Sequence, residues 1–245
     1  MESKVAIITG ASSGIGEATA KTLASFGINV VIGARREERL MKLTQEIRSL
    51  GGIAEYKVTD VTQRKDMDDL VRFTKEKFTH IDIIVNNAGV MPQSPLRELK
   101  YNEWNQMVDV NLKGTLNGIG SVLPDFYKNK AGHIITIAST ASHRVNYGGG
   151  VYSATKYGVR ALMETLRLEL ATDKVHVRAT TISPGATDTE LLDSVTSNLK
   201  SNLEAFYQKN AISPQTIADA ILYAIKVPEN VSVNEIIMRA TDQDV

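Results

Sequence analysis

The chain has 245 residues, 42% hydrophobic and 23% charged, a composition typical of a soluble globular protein and long enough for one α/β domain with an ample core. Its 28 basic and 28 acidic residues cancel, and no basic or aromatic-interleaved stripe marks a nucleic-acid surface. Cysteine is absent, which excludes disulfides and thiol chemistry, and the four histidines at 80, 133, 143 and 176 lack metal-ligand spacing.

The first apolar, β-branched run, residues 4–9, predicts a buried parallel strand. It begins so early that no signal peptide is expected. Gly10, Gly14 and Gly16 follow, and Ala18, Ala20, Leu23, Ala24 and Phe26 then recur at helical spacing. Strand, glycine turn and helix form the setting in which a pyrophosphate approaches a helix N-terminus, with Ser12, Ser13 and Ile15 inside the turn. The spacing G-x-x-x-G-x-G differs from the common G-x-G-x-x-G. A βα loop without ligand is the plainer reading.

A second strand, residues 28–33, ends at Ala34, where an acidic residue would bind a ribose hydroxyl and select NAD. Arg35 and Arg36 come next, and a guanidinium clamps a 2′-phosphate, so NADP(H) is the expected cofactor. Ser13 could add a hydroxyl. Arg35-Arg36-Glu37-Glu38-Arg39 also reads as an ordinary charged helix start. After a third strand, 53–58, Asp60 and Val61 stand where an adenine contact or a helix cap would serve equally well. A fourth strand, 81–86, leads into Asn87-Ala88-Gly89, and a helical pattern covers 102–128.

A fifth strand, 133–138, runs into Ser139, with Thr140 and Ser142 as rivals for its role. A helix over 151–172 opens on Tyr152 and Lys156. Four residues apart, they share a face, and the ammonium is expected to draw the phenol's pKa of about 10 toward the working pH. Strands over 175–182 and 233–238 follow, separated by Pro184-Gly185-Ala186-Thr187-Asp188-Thr189 and a leucine-bearing polar stretch. Thr187 and Thr189 read as ligand contacts, as caps of the next helix, or as both. No apolar run reaches membrane-span length, and the ending Gln243-Asp244-Val245 carries no sorting address, so a cytoplasmic protein without a membrane partner is expected.

In this order, Thr9 to Gly16, Asp60, Asn86-Asn87-Ala88-Gly89, Asn111, Ser139, Tyr152, Lys156 and Pro184-Gly185 resemble the markers of the short-chain dehydrogenase/reductase family over nearly the whole chain. Ser139 and Tyr152 stand 13 apart, as in that family. The resemblance implies a single Rossmann domain, residues 1–245, with a doubly wound seven-stranded parallel sheet in the order 3-2-1-4-5-6-7 and helices on both faces. It implies a substrate lid over residues 190–212. It makes Asn111, Ser139, Tyr152 and Lys156 the catalytic set: proton donor Tyr152, oxygen-binding Ser139, Lys156 on the phenol and the nicotinamide ribose, and Asn111 anchoring a water. Cofactor contacts carried over are Gly10, Ser12, Ser13, Gly14, Ile15, Gly16, Arg35, Arg36, Asp60, Val61, Asn87, Ala88, Gly89, Pro184, Gly185, Thr187 and Thr189, beside Tyr152 and Lys156.

Glu164-Thr165-Leu166-Arg167, the Pro184 to Leu191 run and the Val233 to Gln243 ending resemble the subgroup of clavulanic acid dehydrogenase and the NADP-dependent serine/3-hydroxy acid dehydrogenases, although related chains usually have proline at Ala240. That implies a small polar aldehyde or 3-hydroxy acid as substrate. The rival reading is an NADP(H) sensor without turnover. Surplus apolar residues on the helices 102–128 and 151–172 suggest a second buried surface, and the family resemblance implies that these helices and the last strand build a homotetramer.

Overall fold

Seven runs form strands β1 (Val5–Thr9), β2 (Asn29–Ala34), β3 (Ala54–Val58), β4 (Ile83–Asn86), β5 (Gly132–Ile137), β6 (Val177–Pro184) and β7 (Glu235–Met238) in a computed structural model describing residues 3–243. All pair in parallel, in the order β3-β2-β1-β4-β5-β6-β7. Met1, Glu2, Asp244 and Val245, which the 1–245 boundary and the terminal tripeptide include, lie outside the described residues.

The runs are continuous rather than alternating because both faces of the sheet are covered. Side chains along a strand point to opposite faces, and the two cores divide accordingly. Ala6, Ile8, Val30, Ile32, Ile83, Val85, Ile135 and Ile137 enter one cluster, which helices α1 (Gly14–Ser25), α2 (Glu37–Ser49) and α8 (Pro214–Lys226) close. Ile7, Val31, Ile84 and Ile134 enter the other, under α3 (Arg64–Phe78), α5 (Gly114–Asn129) and α6 (Gly150–Thr172). On α8, Ile217, Ile221 and Ile225 repeat every fourth residue and are all buried.

The helical path expected over 102–128 is present but is not uniform. It runs as α4 (Tyr101–Met107), a π-turn (Val108–Lys113) and then α5. α7 (Lys200–Asn210) completes the set. The strands expected over 53–58, 81–86, 175–182 and 233–238 each start later than the apolar pattern, by one residue in β3 and by two in β4, β6 and β7. Because β1 lies between β2 and β4, the connections on its two sides diverge and leave a crevice beyond the carboxyl ends of the strands. No helix among the described residues is long and apolar enough to cross a membrane.

Candidate active site

That crevice is a cleft of about 540 Å3. Its floor is the turn after β1, which only glycine fits. Gly10 has φ +64°, and a Cβ there would stand 2.7 Å from the Ala88 Cα. Asn87 staples the turn: its amide donates to the carbonyls of Thr9 (2.9 Å) and Gly10 (3.2 Å), and its N–H donates to the Thr9 hydroxyl (3.1 Å). The Ser13 side chain makes no capping bond to α1, which leaves the first-turn N–H groups without a side-chain cap.

Gly10, Ser12, Ser13, Gly14 and Ile15 line the cleft. Gly16 lies outside that lining. Its Cβ would fall 2.5 Å from the Asn87 amide nitrogen and 2.6 Å from the Gly10 carbonyl, so its part is to let α1 pack against the turn.

At the end of β2 both arginines line the cleft, and they differ in attachment. Arg36 Nε donates to the Ser12 hydroxyl (3.0 Å) and NH2 to the Ser13 hydroxyl (2.7 Å), while NH1 pairs with Glu190 (2.7 Å). Arg39 reaches both oxygens of Glu190 at 2.6 and 2.8 Å. Hydrogen bonds from Arg36 and Arg39 hold the Glu190 carboxyl down to about 2. Arg35, on which sequence reasoning placed the clamp first, is exposed at the rim.

Asp60 and Val61 line the cleft too, with one Asp60 oxygen accepting from the N–H and hydroxyl of Thr62, both at 2.9 Å. That is a local turn rather than the α3 cap, which falls at Gln63. Ala88, Gly89, Pro184, Gly185, Thr187 and Thr189 complete this wall. Thr189 also caps the short turn Glu190–Ser194 by accepting from the Leu191 N–H (3.3 Å).

The reactive end joins β5 to α6. Ser139 lines the cleft, whereas its rival Ser142 is fully buried and donates back to the Ser139 carbonyl, and Thr140 lies outside the lining. Tyr152 and Lys156 share one face of α6 and are both buried. Lys156 Nζ donates to the Ile137 carbonyl at 2.8 Å and lies 5.9 Å from the Tyr152 ring centre.

The expected pKa order is reversed here. Burial pushes the Tyr152 phenol up to about 12, opposed by its hydrogen bond to Ser139. Burial also pulls Lys156 down to about 8. Desolvation outweighs the ammonium, whose proton is engaged by a backbone carbonyl.

Asn111 sits in the π-turn, fully buried beneath the cleft rather than on its wall. It accepts from the Val90 N–H (2.9 Å) and donates to the Val90 carbonyl (3.0 Å) and the Thr155 hydroxyl (3.1 Å). The π-turn brings this amide to Thr155 on α6, the residue before Lys156.

From segment 190–212, Glu190, Leu191, Asp193, Ser194 and Tyr207 line the cleft. Ser194 accepts from the Met91 N–H (3.2 Å), Ser197 donates to the Gln93 carbonyl (2.6 Å), and Thr187 bridges to Ile212. Leu191, Leu192 and Tyr207 pack on the cluster of Met91, Met107 and Tyr152. Tyr207 lines the cleft, and among the described residues its hydroxyl meets the Met91 sulfur at 3.9 Å. Burial, and after it the nearby Tyr152, raise that hydroxyl above its ordinary value. Sequence reasoning had not singled out Glu190 or Tyr207 as site residues, and neither carries a local signal.

A parallel sheet with a glycine cradle at its switch point and a Ser–Tyr–Lys group beside it defines a nucleotide-dependent oxidoreductase. The short chain dehydrogenase family profile matches residues 4–200, and the chain belongs to that family. An uncharacterized oxidoreductase of Listeria monocytogenes is 47% identical over 244 residues, covering 99% of this chain and 98% of that protein. The alcohol dehydrogenase of the archaeon Thermococcus sibiricus, solved with 5-hydroxy-NADP, is similar at a TM-score of 0.88 and 33% identity, covering 100% of this chain and 99% of the other. A serine dehydrogenase in its closed form with NADP+ gives a TM-score of 0.91 and 31% identity, covering 98% and 96%.

Proposed function

We propose that this chain transfers a hydride between NADP(H) and a small carbonyl or alcohol compound. The observation that carries the reading is the hydrogen-bonded Ser139–Tyr152 pair on the cleft wall, with Lys156 buried on the same helix face. A sensor without turnover would need neither a proton donor at Tyr152 nor an oxygen-binding hydroxyl at Ser139.

The cleft fits the cofactor. Side chains at Gly10 and Gly14 would fill the cradle, and the α1 N–H groups with Ser12 and Ser13 suit a pyrophosphate. We assign Arg36, with Arg35 at the rim, to the 2′-phosphate, Asp60 and Val61 to the adenine, and Asn87, Ala88 and Gly89 to the floor. Pro184, Gly185, Thr187 and Thr189 are assigned to the carboxamide, and Lys156 and Tyr152 to the nicotinamide ribose. When bound, NADPH supplies the hydride, which no side chain here could supply.

In reduction, the Tyr152 hydroxyl gives its proton to the substrate oxygen as the carbonyl carbon gains its new C–H bond. Ser139 donates a hydrogen bond to the same oxygen, where negative charge develops. Lys156, protonated at neutral pH, holds its place through Ile137. Asn111, fixed by Val90 and Thr155, is placed to seat a water that returns the proton through Lys156.

We propose that residues 190–212 form the substrate lid. Of the two substrate types that the subgroup resemblance implies, the lining supports the uncharged carbonyl over the 3-hydroxy acid. Val90, Gln106, Leu191, Ser194 and Tyr207 surround the reactive end, with Asp193 as a further carboxylate. Among the described residues lining the cleft, the cations are Arg35, Arg36 and Lys156, and the arginines lie at the opposite end.

The test is Tyr152→Phe, read by NADPH absorbance with a panel of small aldehydes, ketones and 3-hydroxy acids. NADPH binding should persist while turnover falls by roughly 10²–10⁴-fold or more. Near-normal turnover would reject the assignment.

We also propose a homotetramer. Leu116 on α5, Tyr157 and Leu168 on α6, and Ile237 on β7 are large apolar side chains left exposed on two separate surfaces. On α4, α5 and α6, Met107, Val122 and Leu166 are buried within the subunit.

A further inference from the structure

Ala34 stands where a carboxylate would oppose a 2′-phosphate, yet a carboxylate reaches this end of the cleft from 154 residues beyond Arg36. Ser12, Ser13, Arg36 and Arg39 form an anion cradle, and the anion held in it is Glu190. The two serines brace Arg36 from one side at 3.0 and 2.7 Å. Glu190 takes its NH1 at 2.7 Å and the Arg39 NH1 at 2.6 and 2.8 Å. Glu190, Arg36 and both serines line the cleft together. Glu190 is also the first residue of the turn whose Leu191 and Leu192 rest on the Tyr152 cluster and whose Ser194 is tied to Met91. One side chain therefore joins the phosphate end of the cleft to the segment over the reactive end.

We infer that Glu190 is a specificity-determining residue: it occupies the cradle that a cofactor 2′-phosphate must enter, competes for Arg36 and Arg39, and couples the cradle to the lid. The inference rests on the NADP(H) reading above. A phosphate arriving beside a fixed carboxylate meets like charge, so it binds less tightly or displaces the carboxylate. A ribose 2′-hydroxyl carries no charge and meets no such opposition. Glu190 sits at about 2 and is ionised at any working pH, so the competition is constant. All three side chains are close to half exposed, which keeps the effect moderate and salt-sensitive.

The experiment is calorimetric titration of wild type and Glu190→Gln with 2′,5′-ADP and 5′-AMP, probes that differ by the 2′-phosphate and lack the nicotinamide. The variant should bind 2′,5′-ADP on the order of tenfold more tightly, with 5′-AMP changed less than about twofold and the gain shrinking in high salt. Unchanged or weaker 2′,5′-ADP binding in the variant overturns the inference, because it makes Glu190 an organiser of the arginines or a bystander. A wild type that fails to prefer 2′,5′-ADP rejects the cofactor reading; a preference gained in Glu190→Gln would then still uphold the competition, and none gained would overturn it too. Glu190→Ala repeats the measurement without an amide that could itself bond to the arginines.

Discussion

Arg36→Ala separates the two arginines at the end of β2. Arg36 is aimed by three hydrogen bonds, to Ser12, Ser13 and Glu190, whereas Arg35 stands at the rim. A lost hydrogen bond to a charged group costs about 1.5–3 kcal/mol, and 1.4 kcal/mol is tenfold, so a dry site would lose more than a hundredfold. The Arg36 side chain is 45% exposed, which argues for the lower part of that range, roughly tenfold in the NADPH to NADH preference. Arg35→Ala should shift the preference by a few-fold at most. Steady-state KM values for both cofactors at low and high salt measure it, and screening should narrow the wild-type preference. Equal losses for NADPH and NADH would refute the assignment, since damage to the cradle weakens both. A larger effect at Arg35 would refute the geometry.

Gly10→Ala forces a side chain into φ +64° against the Ala88 backbone; a stability loss of about 1–3 kcal/mol in urea and weaker binding of both cofactors are expected. Burial drops the His133 pKa to about 3 from 6.5, so the folded protein stays neutral there while the unfolded chain takes up a proton below 6.5. Its stabilising contribution is therefore complete above 6.5 and falls on acidification, by about 2 kcal/mol at pH 5; His133→Asn should flatten that part of the stability–pH profile, and an unchanged slope would assign the acid lability elsewhere. Light scattering at micromolar concentration should return four subunits, a monomer mass would reject the assembly, and Leu168→Glu should lower the mass if α6 forms a contact.

The sheet was legible because its central strands are buried on both faces, so a plain apolar run was the right signal there and the order needed only the family resemblance. The cradle was legible because a turn without room for a Cβ must be written in glycine. Gly16 shows the limit of that signal. Ligand approach and helix packing both demand a missing side chain, and the packing against Asn87 and the Gly10 carbonyl is not written in the spacing. The π-turn left no trace, because Val108 to Lys113 has the composition of any amphipathic helix, and its single extra residue is resolved by what Asn111 bonds to.

Electrostatics was the least legible layer. The four-residue spacing of Tyr152 and Lys156 says that they share a face, but it does not say how much water reaches them. Burial raises one group and lowers the other, so in this structure the phenol is a firmly protonated donor and the ammonium is the group nearer its titration point. That polarity suits carbonyl reduction, in which the phenol must give up a proton only when an alkoxide forms beside it. The same reasoning applies at the other end of the cleft. Ala34 alone removes a carboxylate from the cofactor's ribose, and Glu190, far along the chain, restores one. Charge at a cofactor site belongs to the fold, and a strand-end residue is only its nearest contributor.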